Sequence, residues 1–315
     1  MNSPLVSIIT PSFNRANFIE LNIKSIMNQT YKNFEHIIVD GGSTDGTIEI
    51  LKKYENKYNL KWISEPDEGM YDAINKGIKM AKGDILAYLN TDDLYFPWTL
   101  EVVVKSFKTL IADIIYGDCL VVQRSFMSIF LHPQKFNYKR LACGSGLSLP
   151  QPSTFLKKSV FNEVGYFSTN YKLFGDIEFW IRCGFKGLKF FKINEILSIV
   201  IFHDDNLHKD KKSGIVEKNR IKKSFCNDND IFIKILGNKY IDQISKRMEL
   251  LRFVFKKNNW FYFKKSIDRI SWVKFLFYEM LPNRYKFKFW SNYFNSKKIF
   301  NVIKGELDEN NLDSK

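Results

Sequence analysis

Seven segments in the first 90 residues alternate between two periodicities, and that alternation confines the chain to a sheet with crossover helices. Val6–Thr10 is an apolar, β-rich run stopped by Pro11. Phe18–Asn28 carries Ile19, Ile23, Ile26 and Met27 at the i, i+4, i+7, i+8 spacing of one helical face. Phe34–Val39 predicts a second strand, Thr44–Tyr58 a helix, Leu60–Ile63 a third strand, Met70–Ala81 a strong helix and Asp84–Leu89 a fourth strand. Strands alternating with helices of this length predict a mostly parallel central sheet with right-handed crossovers. The strand ends at Thr10, Val39 and Leu89 then open into polar loops along one sheet edge, where open α/β sheets bind ligands.

Those loops carry chemistry. The fourth strand ends in Asn90-Thr91-Asp92-Asp93. Two adjacent carboxylates repel, so a fold tends to place them around a cation or a hydroxyl-rich ligand; the bland alternative is two solvated acids in a turn before a helix at Pro97. After the first strand, Pro11-Ser12-Phe13-Asn14-Arg15 offers a flat aromatic for stacking, an amide and a guanidinium, a set suited to a nucleobase and its phosphates. Ser12 or Asn14 as a helix cap serves the same residues equally well. After the second strand, Asp40-Gly41-Gly42-Ser43 allows close backbone approach beside an acid that can hold a ribose or a base edge. The spacing is neither a Walker loop nor a dinucleotide fingerprint. After the third strand, acids precede a helix N-terminus, and Asn75 and Lys76 lie one turn further in, within reach of a phosphate.

Residues 113–204 are less regular. Short strands are expected at Asp113–Gly117, Cys119–Gln123, Leu188–Ile193 and Ile196–Phe202, and a helix from Asp176. Net charge is +14 over 315 residues, but it is unevenly placed. Residues 1–205 hold 23 Lys+Arg against 22 Asp+Glu, and the remaining 110 hold 25 against 12. The boundary divides a near-neutral body, 1–205, from a basic, aromatic-rich region, 206–315, read as helical. Met248–Leu281 is dense in Phe, Trp, Tyr and Lys, and Pro282 closes it. Such clusters suit a helix lying on an anionic membrane surface, or a small bundle packed on the body with solvated lysines. Cys119, Cys143, Cys183 and Cys226 lack paired spacing, which predicts a reducing compartment, no disulfide framework and no zinc site. No basic n-region or long apolar run opens the chain, so neither a signal peptide nor a membrane span is expected.

In order and spacing, the run Val6–Arg15, then Ile38–Thr47, then Glu68-Gly69 to Gly77, then Asn90–Asp93 resembles the family 2 glycosyltransferases of bacteria, which have the GT-A fold. The resemblance covers residues 4–204. It implies a catalytic domain over 1–205 that moves a sugar from a nucleotide-sugar donor (UDP-, GDP- or dTDP-linked) to a hydroxyl of a glycan or lipid-linked acceptor in surface-polysaccharide synthesis. It implies that Phe13 packs on the base and Asp40 holds the nucleoside. Pro11, Asn14, Arg15, Gly69 and Asn75 complete the donor site. Asp92 contacts ribose or sugar, and Asp93 holds Mn2+ or Mg2+ on the diphosphate. Phe174-Gly175-Asp176-Ile177-Glu178-Phe179-Trp180 resembles the segment bearing the general base, and Asp176 matches that base. Gln151 falls in a segment lining the sugar and acceptor pocket, and His203 where some relatives place a further metal ligand. Two departures stand out: Gly41, where many relatives have a second acid, and Gly175, where an acid often precedes the base. The expected location is cytoplasmic and peripheral on the inner face of the plasma membrane, with no nucleic-acid partner. The rival readings are a nucleotidyltransferase, whose Gly-rich basic loop is lacking after the first strand, and a non-catalytic scaffold that binds glycan or membrane.

Overall fold

The computed structural model describes residues 3–123, 126–130, 132, 135–144, 147–203 and 211–226. Asp204–His208 and the lysine–aromatic stretch Met248–Leu281 with Pro282 lie outside the described residues. The elements that build the site fall within one compact unit, Met1–Val122 with Ser128–Leu250.

Four strands form the parallel heart of the sheet: β1 (Val6–Ser12), β2 (Phe34–Asp40), β3 (Leu60–Ser64) and β4 (Ile85–Tyr88). β1 lies between β2 and β4, parallel to both, and β2 runs parallel to β3. Every residue of β1, β2 and β4 is buried, which explains why these strands read as apolar runs rather than alternating ones. Successive side chains leave opposite faces of the sheet. Ile9, Ile37 and Val39 pack on one face with α3 (Met70–Met80) and α7 (Gly175–Phe185). Val6, Ile8 and Ala87 pack on another cluster with α4 (Thr99–Thr109). Ile38 meets Ile19 and Ile23 of α1 (Ala16–Met27) and Leu51 of α2 (Thr47–Tyr54). An isolated helix of this length is marginal in water, whereas each buried isoleucine is worth roughly 1.5–3 kcal/mol. Tertiary burial therefore holds α1 and α3 in place.

The second half turns the sheet mixed. β5 (Asp93–Tyr95) runs antiparallel to β9 (Phe190–Phe202), and β8 (Thr154–Lys157) runs antiparallel to both β4 and β6 (Ile114–Gln123). The order is β3-β2-β1-β4-β8-β6-β9-β5, with β7 (Phe126–Phe130) paired to β6. The four short strands expected between 113 and 202 are two long ones. Gly117 does not break β6, because an added Cβ there would stand 2.6 Å from the Glu195 carbonyl. The glycine lets β9 approach. The helix expected at Thr44–Tyr58 is shorter, because Asp45 receives the N–H groups of Thr47 and Ala16 and keeps the preceding loop off the helix. Three further helices are α5 (Tyr138–Ala142), α6 (Ser159–Val164) and α8 (Lys211–Phe225).

The cysteine reading needs correction. Cys143, which closes α5, is disulfide-bonded to Cys226, just past α8. The partners are 83 residues apart, so no local spacing announces the pair. Cys119 and Cys183 are free and buried. Among the described residues no helix is long and apolar enough to cross a membrane.

Candidate functional site

The loops after β1, β3 and β4 open, together with the segments before η1 (Gln151–Ser153) and α7, into one pocket of about 520 Å³. Pro11, Phe13, Arg15, Gly69, Asp92, Asp93, Gln151 and Asp176 line it, so most of the residues singled out in the sequence come together.

Phe13 stands 57% exposed at the pocket, a conspicuous placement for a large apolar ring. Its loop is stapled to the one after β2. The Asn14 N–H donates to Ser43 Oγ at 2.7 Å, and the Thr44 N–H to Asn14 Oδ1 at 2.9 Å. Asn14 adopts a left-handed φ of 52° to do so. It thus acts as a latch behind the pocket and is outside the lining. Asp40 lies deeper. It is fully buried, and its carboxylate accepts the N–H groups of Gly42 and Ser43 and the hydroxyls of Ser43 and Ser64. Its place is under the loop. Asn75 faces the other way, its amide bonded to both backbone groups of Phe167. Lys76 pairs with Glu65 at 2.9 Å and Asp72 at 3.4 Å.

Both departures from the family pattern are filled by other side chains. An added Cβ on Gly41 would stand 2.7 Å from Asp67 Oδ2 and 3.2 Å from Phe13 Cδ2. Asp67, a pocket residue from the loop after β3, therefore occupies the space of the missing second acid. At Gly175 an added Cβ would lie 2.6 Å from the Tyr71 ring.

The acid pair is not solvated. Asp93 is 5% exposed and opens β5, where Asn22 of α1 pins the turn by donating to the carbonyls of Asn90 and Asp93, each at 2.9 Å. Burial and then the neighbouring Asp92 push the Asp93 carboxyl well above the usual range. Asp92 lies 2.9 Å from Nε2 of His203, which stacks on Phe18. Two carboxylates with an imidazole on one of them form a donor set suited to Mn2+ or Mg2+. Among the described residues, though, no three such side chains converge tightly enough to hold a metal ion by themselves.

Asp176 sits in the first turn of α7. Its N–H donates to Tyr71 Oη at 3.0 Å, and that hydroxyl lies 3.3 Å from Asp176 Oδ1. Burial raises the carboxyl to about 6, against hydrogen bonds that lower it, with Glu217 adding to the rise. Glu178 is committed elsewhere, to a two-point ion pair with Arg182. The Gln151 amide is tied to the end of β4, through the Tyr88 carbonyl and Asn90. Sequence reasoning passed over Tyr71, Asn22 and Asp67. Tyr71 and Asp67 flank the Glu68-Gly69 turn and could have been suspected from that position. Asn22 sits mid-helix and gave no signal.

Residues 7–176 match the model of "Glycosyl transferase family 2". A "PGL/p-HBAD biosynthesis glycosyltransferase" of Mycobacterium bovis is 31% identical over 188 residues, 58% of this chain and 71% of the relative. An "Uncharacterized glycosyltransferase" of Rickettsia typhi is 33% identical over 193 residues, 57% of this chain and 58% of the relative. Among solved structures, S. aureus TarS 1-349 in complex with UDP-GlcNAc aligns with a TM-score of 0.54 at 17% identity, over 78% of this chain and 83% of that one. The mannosyltransferase PcManGT from Pyrobaculum calidifontis, in complex with GDP-Man and Mn2+, aligns with a TM-score of 0.53 at 20% identity, over 66% and 59%. These structural likenesses bear on the fold, which is GT-A. With the family model spanning more than half of its length and the strand-end loops gathered at one pocket, the chain belongs to the family 2 glycosyltransferases.

Proposed function

We propose that this glycosyltransferase acts by single displacement with inversion, passing a sugar from a nucleoside-diphosphate donor to an acceptor hydroxyl with help from a divalent cation. The observation that carries the reading is one pocket that joins an exposed aromatic, a repelling acid pair and a half-buried carboxyl held at about 6. Phe13 offers a stacking face for the base, and Asp67 an acceptor for its edge. Arg15 is suited to a phosphate oxygen. Asp93 and Asp92, with His203 behind, would hold Mn2+ or Mg2+, and the donor's diphosphate oxygens would complete the coordination. Held by these residues, the cation would supply Lewis-acid stabilisation of the charge on the diphosphate. Asp176 takes the proton of the acceptor hydroxyl as that oxygen attacks the anomeric carbon, and the nucleoside diphosphate leaves. Tyr71 holds the carboxylate in place.

The acceptor reading is a glycan or lipid-linked hydroxyl of a bacterial surface polysaccharide. It is supported by the family and by the basic charge gathered after residue 205, which suits peripheral attachment to an anionic membrane. On that reading residues 1–205 form the catalytic body and 206–315 the membrane-facing region.

Purified protein would be offered a panel of nucleotide-sugars with and without Mn2+ or Mg2+, and nucleoside diphosphate release scored against Asp93→Ala and Asp176→Ala. Metal-dependent release from one donor, absent in both variants, is the expected result. Tight nucleotide binding without release, even with lipid-linked acceptors supplied, would favour a scaffold. The absence of both binding and release across the panel would sink the reading.

A further inference from the structure

Helix α8 begins 35 residues after the last residue matched by the family model, yet it reaches back to the pocket. Glu217, 6% exposed, takes three consecutive backbone N–H groups on its carboxylate. Lys172 donates at 2.7 Å, Leu173 at 3.0 Å and Phe174 at 2.9 Å. Charge-assisted bonds of this kind are roughly twice as strong as neutral ones, and three on one carboxylate fix a loop's path. Arg220 continues the grip, donating to the Asn170 carbonyl at 2.9 Å with its guanidinium over the Tyr171 ring. Lys218 lies over the Phe174 ring. Ile221 seats the helix against Leu141, Ala142, Tyr171 and Ile181.

The gripped loop matters because of what it carries. Lys172, Leu173 and Phe174 line the pocket, and Phe174 is the N-cap residue of α7, two positions before Asp176. A phenylalanine side chain cannot cap a helix. The start of α7 therefore draws on outside partners, Tyr71 for the Asp176 N–H and Glu217 for the loop before it, beside the Asp176 carboxylate's own bond to the Ile177 N–H.

We propose that Glu217 is a positioning residue of the transferase, fixing the 172–174 wall of the pocket and, through it, the placement of Asp176 against the acceptor hydroxyl. The proposal rests on the reading of Asp176 as the base. A surface helix that merely packs would need the Ile221 contact; it would not need a buried carboxylate on three amides of one pocket loop. Asp176 is faced by Tyr71 from α3, Tyr88 from β4 and Glu217 from α8. Of these only Glu217 brings a charge, and it acts to raise the Asp176 carboxyl.

The test uses the full chain, the donor it hydrolyses or transfers fastest, and the variants Glu217→Gln and Glu217→Asp. Glu217→Gln should leave the donor KM within about twofold and lower kcat by about tenfold or more, since small misplacements of reacting groups cost this much. Its acid limb should move to lower pH, because a negative charge that holds Asp176 protonated is gone. Glu217→Asp, which keeps the charge on a shorter arm, should lose kcat while keeping the acid limb. Unchanged kcat and limb in both variants would overturn the proposal, as would a loss confined to donor KM. Should the variants fail to fold, amide exchange in the wild-type chain decides. Protection at Lys172, Leu173 and Phe174 comparable to the α7 interior supports the clamp, and exchange at free-loop rates refutes it. If the wild-type chain releases no nucleoside diphosphate from any donor, the reading of Asp176 fails, while the exchange result still judges the clamp.

Discussion

Asp93 is a buried acid set beside a second acid, and both burial and that neighbour disfavour its ionised form, against a single backbone hydrogen bond from Ile201. Relieving that load should stabilise the metal-free protein. Asp93→Asn is expected to raise unfolding free energy by about 1 kcal/mol in metal-free buffer, while metal-dependent nucleotide binding disappears. Denaturant melts and calorimetric titration read the two effects, and a lowered midpoint would show that Asp93 is already neutralised within the protein. Asp176, proposed as the base, bears on rate. A base held at about 6 must lose its proton to work, so transfer should switch on as pH rises through about 6 and fall away below it. Asp176→Asn should cost about 10²–10⁴-fold in turnover with nucleotide affinity kept. A pH–rate profile flat from about 5 to about 7, one unit either side of the limb, would exclude Asp176 as the base. Asp67 stands in the space that a side chain at position 41 would take. Asp67→Ala should weaken nucleoside diphosphate binding by about tenfold, the worth of a charge-assisted hydrogen bond. Adding Gly41→Asp in that background should restore it, whereas Gly41→Asp alone should collide with Asp67. A pair of independent losses would mean that the two positions do not share a role.

At the scale of elements, β1, β2 and β4 were readable because burial on both faces leaves a largely apolar run, and α1 and α3 because one face repeats at helical spacing. β5 and β8 were not readable. They span three and four residues, too short for a period, and they exist because longer antiparallel neighbours offer them backbone partners. The expected strands leave Asp118 out of β6 and the polar Asn194-Glu195 out of β9. Both are accommodated inside the strands. Close approach also governs α3 and β1. An added Cβ on Gly77 would collide with Cγ2 of Ile9, a side chain only 1% exposed. Gly77→Ala gains helix propensity but overpacks the contact, so a net loss of about 1–3 kcal/mol is expected. A thermal melt at or above the wild-type midpoint would show that the helix can shift at little cost.

For the whole molecule, the disulfide between Cys143 and Cys226 closes an 83-residue loop and ties the end of α8 to α5. A loop of this size is worth about 4.5 kcal/mol at most through the unfolded chain. Reduction should lower the unfolding midpoint, and alkylation before and after reduction should label two more thiols afterwards. Equal labelling in both conditions would show the pair to be open. The sequence by itself determined the order of elements, the mostly parallel heart of the sheet and the polar strand ends that carry Phe13, Asp92 and Asp93. Each of these is written in local periodicity or in residue types at a strand's end. Only the tertiary structure decided which residue fills a given volume. Asp67 beside Gly41, Tyr71 beside Gly175, Glu217 on the loop before Asp176 and Cys226 on Cys143 join positions far apart in the chain. Such neighbours follow from how helices and strands pack, which no local pattern records. The same physics gives Asn14, Asp40 and Asn75, expected as ligand contacts, bonds to the backbone of the loops around the pocket.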